Sequence, residues 1–327
     1  MTEKRNLPNV VLRTWTAGAC LLGLLSVIAG FGQQPTQISP ASAPTNQGHR
    51  TNEPFVLPPG VVAARDLIYT GGQNIGQTLD LYRPASGAGP FPGVIFIHGG
   101  AWSAGSKADF QRQASYLATQ GYVCISINYR LSQQAPYPAA LYDAKAAVRW
   151  MRANAAEYGI DPNRLAAVGG SSGGQLAALL GTTASVKTME GDGGNPSFSS
   201  RVEAVVAFNP LTDFVSALEK TQNPTAVTKA LVAFLGGPLE KVPEIYIEAS
   251  PVAHVSTTSA PFLFLHGTAD TTLPFPQSVE MRDALQAVGV RAELYSAEGG
   301  NHGFFNFPPF YEPALKRMLE FLDSVLK

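Results

Sequence analysis

The sequence predicts an α/β fold, with helices on both faces of a doubly wound, mostly parallel sheet. Three observations predict it. From residue 60 onward, apolar runs of strand length alternate with helix-length amphipathic segments. The runs at 94–97 and 123–128 are short, β-branched and aromatic, with none of the polar alternation a half-exposed strand would show. Glycines and an Asp-Pro pair punctuate the boundaries.

The elements follow in order. Strands are expected over 61–69 and 78–82, separated by a turn at Gly71-Gly72. The two central runs flank a helix over 110–120, which ends at Gly121, a residue suited to the left-handed position after a helix. The clearest helix runs over 142–158. There Ala144, Ala147, Val148, Met151 and Ala155 recur at helical spacing, Arg149 and Arg152 lie on other faces, and Gly159 is the stop. Asp161-Pro162 is read as a turn into a strand over 164–168, followed by a helix-like segment at 175–180. Later strands are expected at 204–208, 261–265 and 291–295, with helices at 277–288 and 312–326. Residues 212–259 form the one insertion large enough for a lid. Its small size implies an open cleft.

Residues 1–31 resemble a secretory leader: Lys4, Arg5 and Arg13 precede an apolar stretch from 17 to 31, and Val27-Ile28-Ala29 offers a cleavage site after Ala29. A secreted or periplasmic protein is expected. The alternative is a membrane anchor formed by residues 14–32, about the length that crosses a bilayer. Residues 32–58 are rich in Pro, Ser, Thr, Gln and Asn and read as a disordered linker, leaving 59–327 as one catalytic domain. Apolar residues make up 45% and charged residues 14%, so the domain can bury a large core. A net charge of −1 argues against a nucleic-acid partner, and no membrane partner is expected once the leader is removed. There are two cysteines, one of them in the leader. Cys124 reads as a small buried hydrophobe, and no Cys/His cluster suggests a metal.

Open parallel sheets place reactive groups in the loops at the carboxyl ends of their strands. After the strand at 164–168 comes Gly169-Gly170-Ser171-Ser172-Gly173-Gly174, a G-x-S-x-G turn between a strand and a helix. Ser171 is the candidate nucleophile; shifting the frame by one residue makes Ser172 the alternative. After the strand at 94–97 comes His98-Gly99-Gly100-Ala101-Trp102. The amides of Gly100 and Ala101, with that of Ser172, are candidate donors to an oxyanion, because glycine lets backbone approach closely. His98 is read as a brace for this loop. Of the five histidines, His302 alone lies in a glycine-bracketed loop between the last strand and last helix, which makes it the candidate base. Asp270, just after the strand at 261–265, is the candidate acid, with Glu298 as rival. Trp102 is a candidate wall of the substrate cleft. The aromatic group Phe304, Phe305, Phe307 and Phe310 either lines that cleft or packs the final helix.

Together these motifs resemble the α/β-hydrolase family in its esterase/lipase branch, over residues 60 to 327. His-Gly-Gly-Ala-Trp is similar to the oxyanion loop of the hormone-sensitive-lipase group and of bacterial acetyl-xylan and feruloyl esterases. Ala101 stands where that loop has a third glycine. Gly170 and Ser172 stand where the lipase group has Asp and Ala. The resemblance implies an α/β-hydrolase fold, a Ser171-His302-Asp270 triad, no metal, no organic cofactor, and a small-molecule or oligosaccharide ester as substrate. An amide hydrolase on the same triad and a non-catalytic binding protein on the same fold are the other two readings.

Overall fold

The computed structural model describes residues 55–72, 76–220 and 224–327. The leader, and the linker up to residue 54, lie outside the described residues. Linker character ends before residue 58, because Phe55 and Leu57 pack against the core below the first strand.

Strands β1 (Val61–Ile68) and β2 (Thr78–Pro84) form an antiparallel pair. The chain continues through β3 (Phe91–Ile97), α1 (Gln111–Thr119), β4 (Val123–Ile127), α2 (Ala139–Ala153) and the single turn α3 (Ala155–Tyr158). It then forms β5 (Ile160–Gly170), α4 (Ser172–Thr182) and β6 (Ala204–Phe208). Three helices fill the insertion: α5 (Phe214–Lys220), α6 (Pro224–Leu235) and α7 (Pro243–Ala249). The chain ends with β7 (Phe262–Gly267), α8 (Pro276–Ala287), β8 (Ala292–Ala297) and α9 (Tyr311–Leu326). Among the described residues, the eight strands join one sheet in the order β1-β2-β4-β3-β5-β6-β7-β8. Every pairing from β4 to β8 is parallel; β2 pairs antiparallel with both of its neighbours, so among the described strands it alone runs against the rest.

Alternate strand residues feed two separate cores. Ile95, Ile97 and Ala167 face α2, α4 and α8, whereas Val94, Phe96 and Val168 face α1 and α9. This is why the central runs are almost wholly apolar, buried Ser126 of β4 satisfying its hydroxyl on the Lys107 carbonyl: each large apolar side chain taken out of water adds about 1.5–3 kcal/mol, and both faces are covered. Cys124, in β4, is fully buried, and burial pushes its thiol well above the usual range.

Three expectations are corrected in detail. The helix foreseen over 142–158 begins at Ala139 and breaks at Asn154, whose Nδ2 donates back to the Trp150 carbonyl at 2.8 Å. Gly159 does end the second piece, at φ 71°. Asp161-Pro162 is not a turn before the strand but an irregularity inside β5, where pairing slips between Phe91 and Gly93. A proline is tolerated there because the ladder is already interrupted. Arg149 does not face solvent. It is 2% exposed, and its guanidinium donates to the carbonyls of Glu190, Gly193 and Gly194 and pairs with the Glu190 carboxylate. Together with buried Lys145, which also pairs with Glu190, it pins the loop after α4.

Candidate active site

The carboxyl ends of β3, β5, β6, β7 and β8 meet on one edge, and each supplies one part of the site. Ser171 sits at the turn from β5 into α4 with φ 54° and ψ −120°, a conformation that L residues rarely adopt. Flanking glycines make it accessible. A Cβ on Gly169 would strike the Gly173 carbonyl, and one on Gly173 would strike the carbonyls of Ile97 and His98. The Ser171 amide is anchored on the Phe208 carbonyl at 2.8 Å, at the end of β6.

His302 comes from the loop between β8 and α9. That loop lies directly against the turn after β7: a Cβ on Gly267 would meet the Gly300 carbonyl, and the Ala269 amide donates to the same carbonyl at 3.0 Å. The contact carries Asp270 to the imidazole. Asp270 Oδ2 accepts from His302 Nδ1 at 2.7 Å, and His302 Nε2 lies 2.9 Å from Ser171 Oγ. A carboxylate only accepts, so the proton resides on Nδ1 and Nε2 is left to accept from the serine hydroxyl. Burial pushes the Asp270 carboxyl upward, but hydrogen bonds from His266, His302 and the Leu273 amide outweigh it and hold the group well below the usual carboxylate range. Its Oδ1 accepts from the amides of Thr272 and Leu273 at 2.8 and 3.0 Å.

Two supporting residues were not singled out in the sequence. His266 is fully buried. Its Nδ1 accepts from the Ser278 hydroxyl at 2.8 Å, and its Nε2–H points between the Leu273 carbonyl at 3.1 Å and Asp270 Oδ2 at 3.2 Å. Asn209, directly after β6, donates from Nδ2 to the His302 carbonyl at 2.8 Å. The available signals were slight: a histidine four residues before the acid, and an amide at a strand end. Glu298 is exposed in its loop and is not brought to His302. Ser172 is buried as the first residue of α4, and its hydroxyl makes no hydrogen bond to His302.

The loop after β3 approaches the serine turn closely: a Cβ on Gly99 would lie 2.9 Å from the Gly170 carbonyl and 3.3 Å from Ser171 Cβ. Gly100, Ala101 and Trp102 then have φ of 112°, 51° and 55°, a left-handed run that turns the backbone back on itself. Among the described residues, the amides of Gly100, Ala101 and Ser172 donate to no backbone acceptor in the surrounding loops. His98 occupies the bracing position. It is buried, its Nδ1 donates to the Gly99 carbonyl at 2.7 Å, and its ring stacks on Tyr129 at 4.3 Å. Burial lowers its pKa, so the brace is the neutral ring.

Trp102 does not line an open wall. It is 4% exposed, stacks on Phe234 of α6 at 4.2 Å, and donates from Nε1 to Gln175 Oε1 at 3.0 Å. Gln175 Nε2 in turn donates to the Ala249 carbonyl at the end of α7. Helices α6 and α7 are thus clamped onto the oxyanion loop from behind, while Gly100 and Ala101 remain exposed and Ser171 and His302 half-buried. Of the final aromatics, Phe304 is buried in the α9 core and Phe305 stacks on Phe208 beside Gly170. Trp102→Ala is expected to destabilise the protein by about 3–5 kcal/mol in urea unfolding. Trp102→Phe, which keeps the stack but strands Gln175 Oε1, should cost about 1–3 kcal/mol. A rise in KM with stability unchanged would instead place Trp102 against substrate.

A sheet of this order, with a serine on the turn after its fifth strand and a histidine and an aspartate reaching it from the last two β-loops, defines an α/β-hydrolase of the esterase/lipase branch. Within that class the chain belongs to the BD-FAE family, whose sequence model matches residues 79–285. It is 35% identical over 250 residues to esterase LipC of Mycobacterium tuberculosis, an alignment covering 74% of this chain and 60% of LipC. The chain thus spans about three fifths of the length of that relative. A truncated carbohydrate esterase from gut microbiota superimposes with a TM-score of 0.71 at 30% identity, covering 80% of this chain and 96% of the other. Esterase Est2 of Thermogutta terrifontis, solved with butyrate bound, gives a TM-score of 0.67 at 31% identity, covering 82% and 95%.

Proposed function

We propose that this chain is a serine carboxylesterase that hydrolyses short-chain acyl or aromatic esters, including acetyl or feruloyl groups on plant polysaccharide, outside the cytoplasm. The observation that carries the reading is the continuous line from Asp270 Oδ2 through the His302 ring to Ser171 Oγ, with contacts of 2.7 and 2.9 Å. Ser171 Oγ attacks the ester carbonyl while His302 Nε2 takes its proton, help worth about 10²–10⁴-fold. The carbonyl oxygen becomes an anion received by the amides of Gly100, Ala101 and Ser172, each worth roughly 3 kcal/mol. Collapse of this intermediate expels the alcohol, which takes the proton back from His302 and leaves an acyl-serine. Water, deprotonated by the same nitrogen, then releases the acid and restores Ser171. Asp270 remains ionised throughout and stabilises the imidazolium.

The LipC relationship supports ester hydrolysis, the butyrate-bound neighbour supports a short acyl group, and the carbohydrate-esterase neighbour supports a sugar alcohol. Export rests on the charged-then-apolar order of residues 1–31. The test is kcat/KM across acyl chains on one leaving group, followed by release of acetate or ferulate from a xylo-oligosaccharide. Acetyl esters should be efficient substrates, with activity falling beyond about six acyl carbons as each unaccommodated methylene forfeits roughly 1 kcal/mol. Preference for long chains, with nothing released from the oligosaccharide, would remove the polysaccharide substrate from the proposal.

A further inference from the structure

Beside the oxyanion loop lies a groove of about 370 Å³. Ala101 and Ser103 form its floor, Ser132 and Gln133 one wall, and Lys229 and Ala233 of α6 the other. Floor and wall are tied together: the Ser132 amide donates to the Trp102 carbonyl at 2.8 Å, and Gln133 Nε2 to the Ser103 carbonyl at 3.0 Å. The second wall is fixed from behind, because Phe234, on the inner side of α6, stacks on Trp102. Ala101 therefore serves two places at once, its amide among the oxyanion donors and its surface in the groove. A ligand part lying there is adjacent to the scissile carbonyl.

Among the described residues, the lining contains no aromatic and no branched aliphatic side chain. It offers two hydroxyls, one amide and one ammonium between small residues. Lys229 is exposed, and among the described residues no carboxylate is paired with it, whereas many other cations of this domain have such a partner. An acyl hydrocarbon placed here would strip water from these groups and return no hydrogen bond. A hydroxyl-rich alcohol would replace those bonds, and a carboxylate on it would meet the ammonium.

On the basis of the esterase reading, we propose that this groove is the subsite for the alcohol side of the ester, that it takes a polyhydroxylated group bearing a carboxylate, as in a uronic acid, and that Lys229 is its specificity-determining residue. Three probes test it. Acetate release is measured from an acetylated methyl glucuronide and from the matching neutral acetylated methyl glucoside, and 4-nitrophenyl hemisuccinate places the charge on the acyl side instead. The wild type should favour the glucuronide about fivefold in kcat/KM at low salt, chiefly through KM. The preference should shrink towards unity at roughly 0.5 M salt, where screening is short-ranged. Lys229→Gln should bring the ratio of the two glycosides to about one, and Lys229→Arg should retain it.

Equal rates on the two glycosides, or a preference that survives Lys229→Gln, would overturn the assignment. A Lys229-dependent preference for the hemisuccinate without one for the glucuronide would also overturn it, by placing the charge on the acyl side. Turnover of 4-nitrophenyl acetate with neither glycoside accepted would reject this subsite and leave the esterase reading intact. Failure on every ester would reject both.

Discussion

Ser171→Ala is expected to lower kcat by about a million-fold, the scale seen when the serine of such a triad is deleted, with folding undisturbed. The residue is held by backbone, its amide on the Phe208 carbonyl and its carbonyl receiving the Gln175 amide, and alanine keeps both contacts. Only the reacting oxygen is lost. Ser172→Ala is the internal control: the candidate oxyanion donor is the Ser172 amide, which survives, and the buried hydroxyl makes no hydrogen bond to His302. The measurement is single-turnover hydrolysis of an activated acetate by both variants, with unfolding midpoints alongside. A large loss in Ser172→Ala with activity kept in Ser171→Ala would shift the frame by one residue and reject the present register.

Asp270→Asn is expected to lower kcat about ten-thousand-fold and, unlike the serine variant, to lower stability. The carboxylate accepts from two amides and two imidazoles and has no exposed side-chain surface. An asparagine turns one of its two oxygens into an NH₂ group. Placed at the imidazole side, that NH₂ selects the wrong tautomer of His302; placed at the Thr272 and Leu273 amides, it sets donor against donor. Each buried polar group left unmatched costs about 1–3 kcal/mol. The sign with pH follows from the depressed folded pKa of Asp270. Its contribution is complete above the unfolded carboxylate value near 4 and is lost as protons return below it, so the stability gap between wild type and variant should narrow in acid. Urea unfolding near neutrality and in acid measures the gap. A variant as stable as the wild type and slowed less than about tenfold would remove Asp270 from the triad, since a triad acid is worth far more.

Some of this was legible in the sequence because its causes are local. Gly169, Gly170, Gly173 and Gly174 around a serine announce a backbone too crowded for Cβ atoms, and the structure shows which carbonyls would be struck. Unbroken apolar runs marked the strands covered on both faces. What escaped depends on partners far along the chain. Helical periodicity registers apolar spacing and is blind to Arg149, a cation buried because loop carbonyls more than forty residues later surround it. Trp102 read as a cleft wall because its partner Phe234 lies on α6, 132 residues away, and nothing between them marks the contact. Asn209 looked like any polar strand end until the fold brought His302 to it.

The last residue of β6 and the one directly after it set a tolerance. Phe208 holds the Ser171 amide, Asn209 holds the His302 carbonyl, and the Asn209 amide is fastened to Leu265 of the neighbouring strand, each at 2.8 Å. Nucleophile and base arrive from loops 131 residues apart, yet both are gauged from one peptide unit in the middle of the sheet. Positional errors in the two loops are therefore referred to one reference, and the 2.9 Å gap across which the proton moves is set by the spacing of two contacts on adjoining residues.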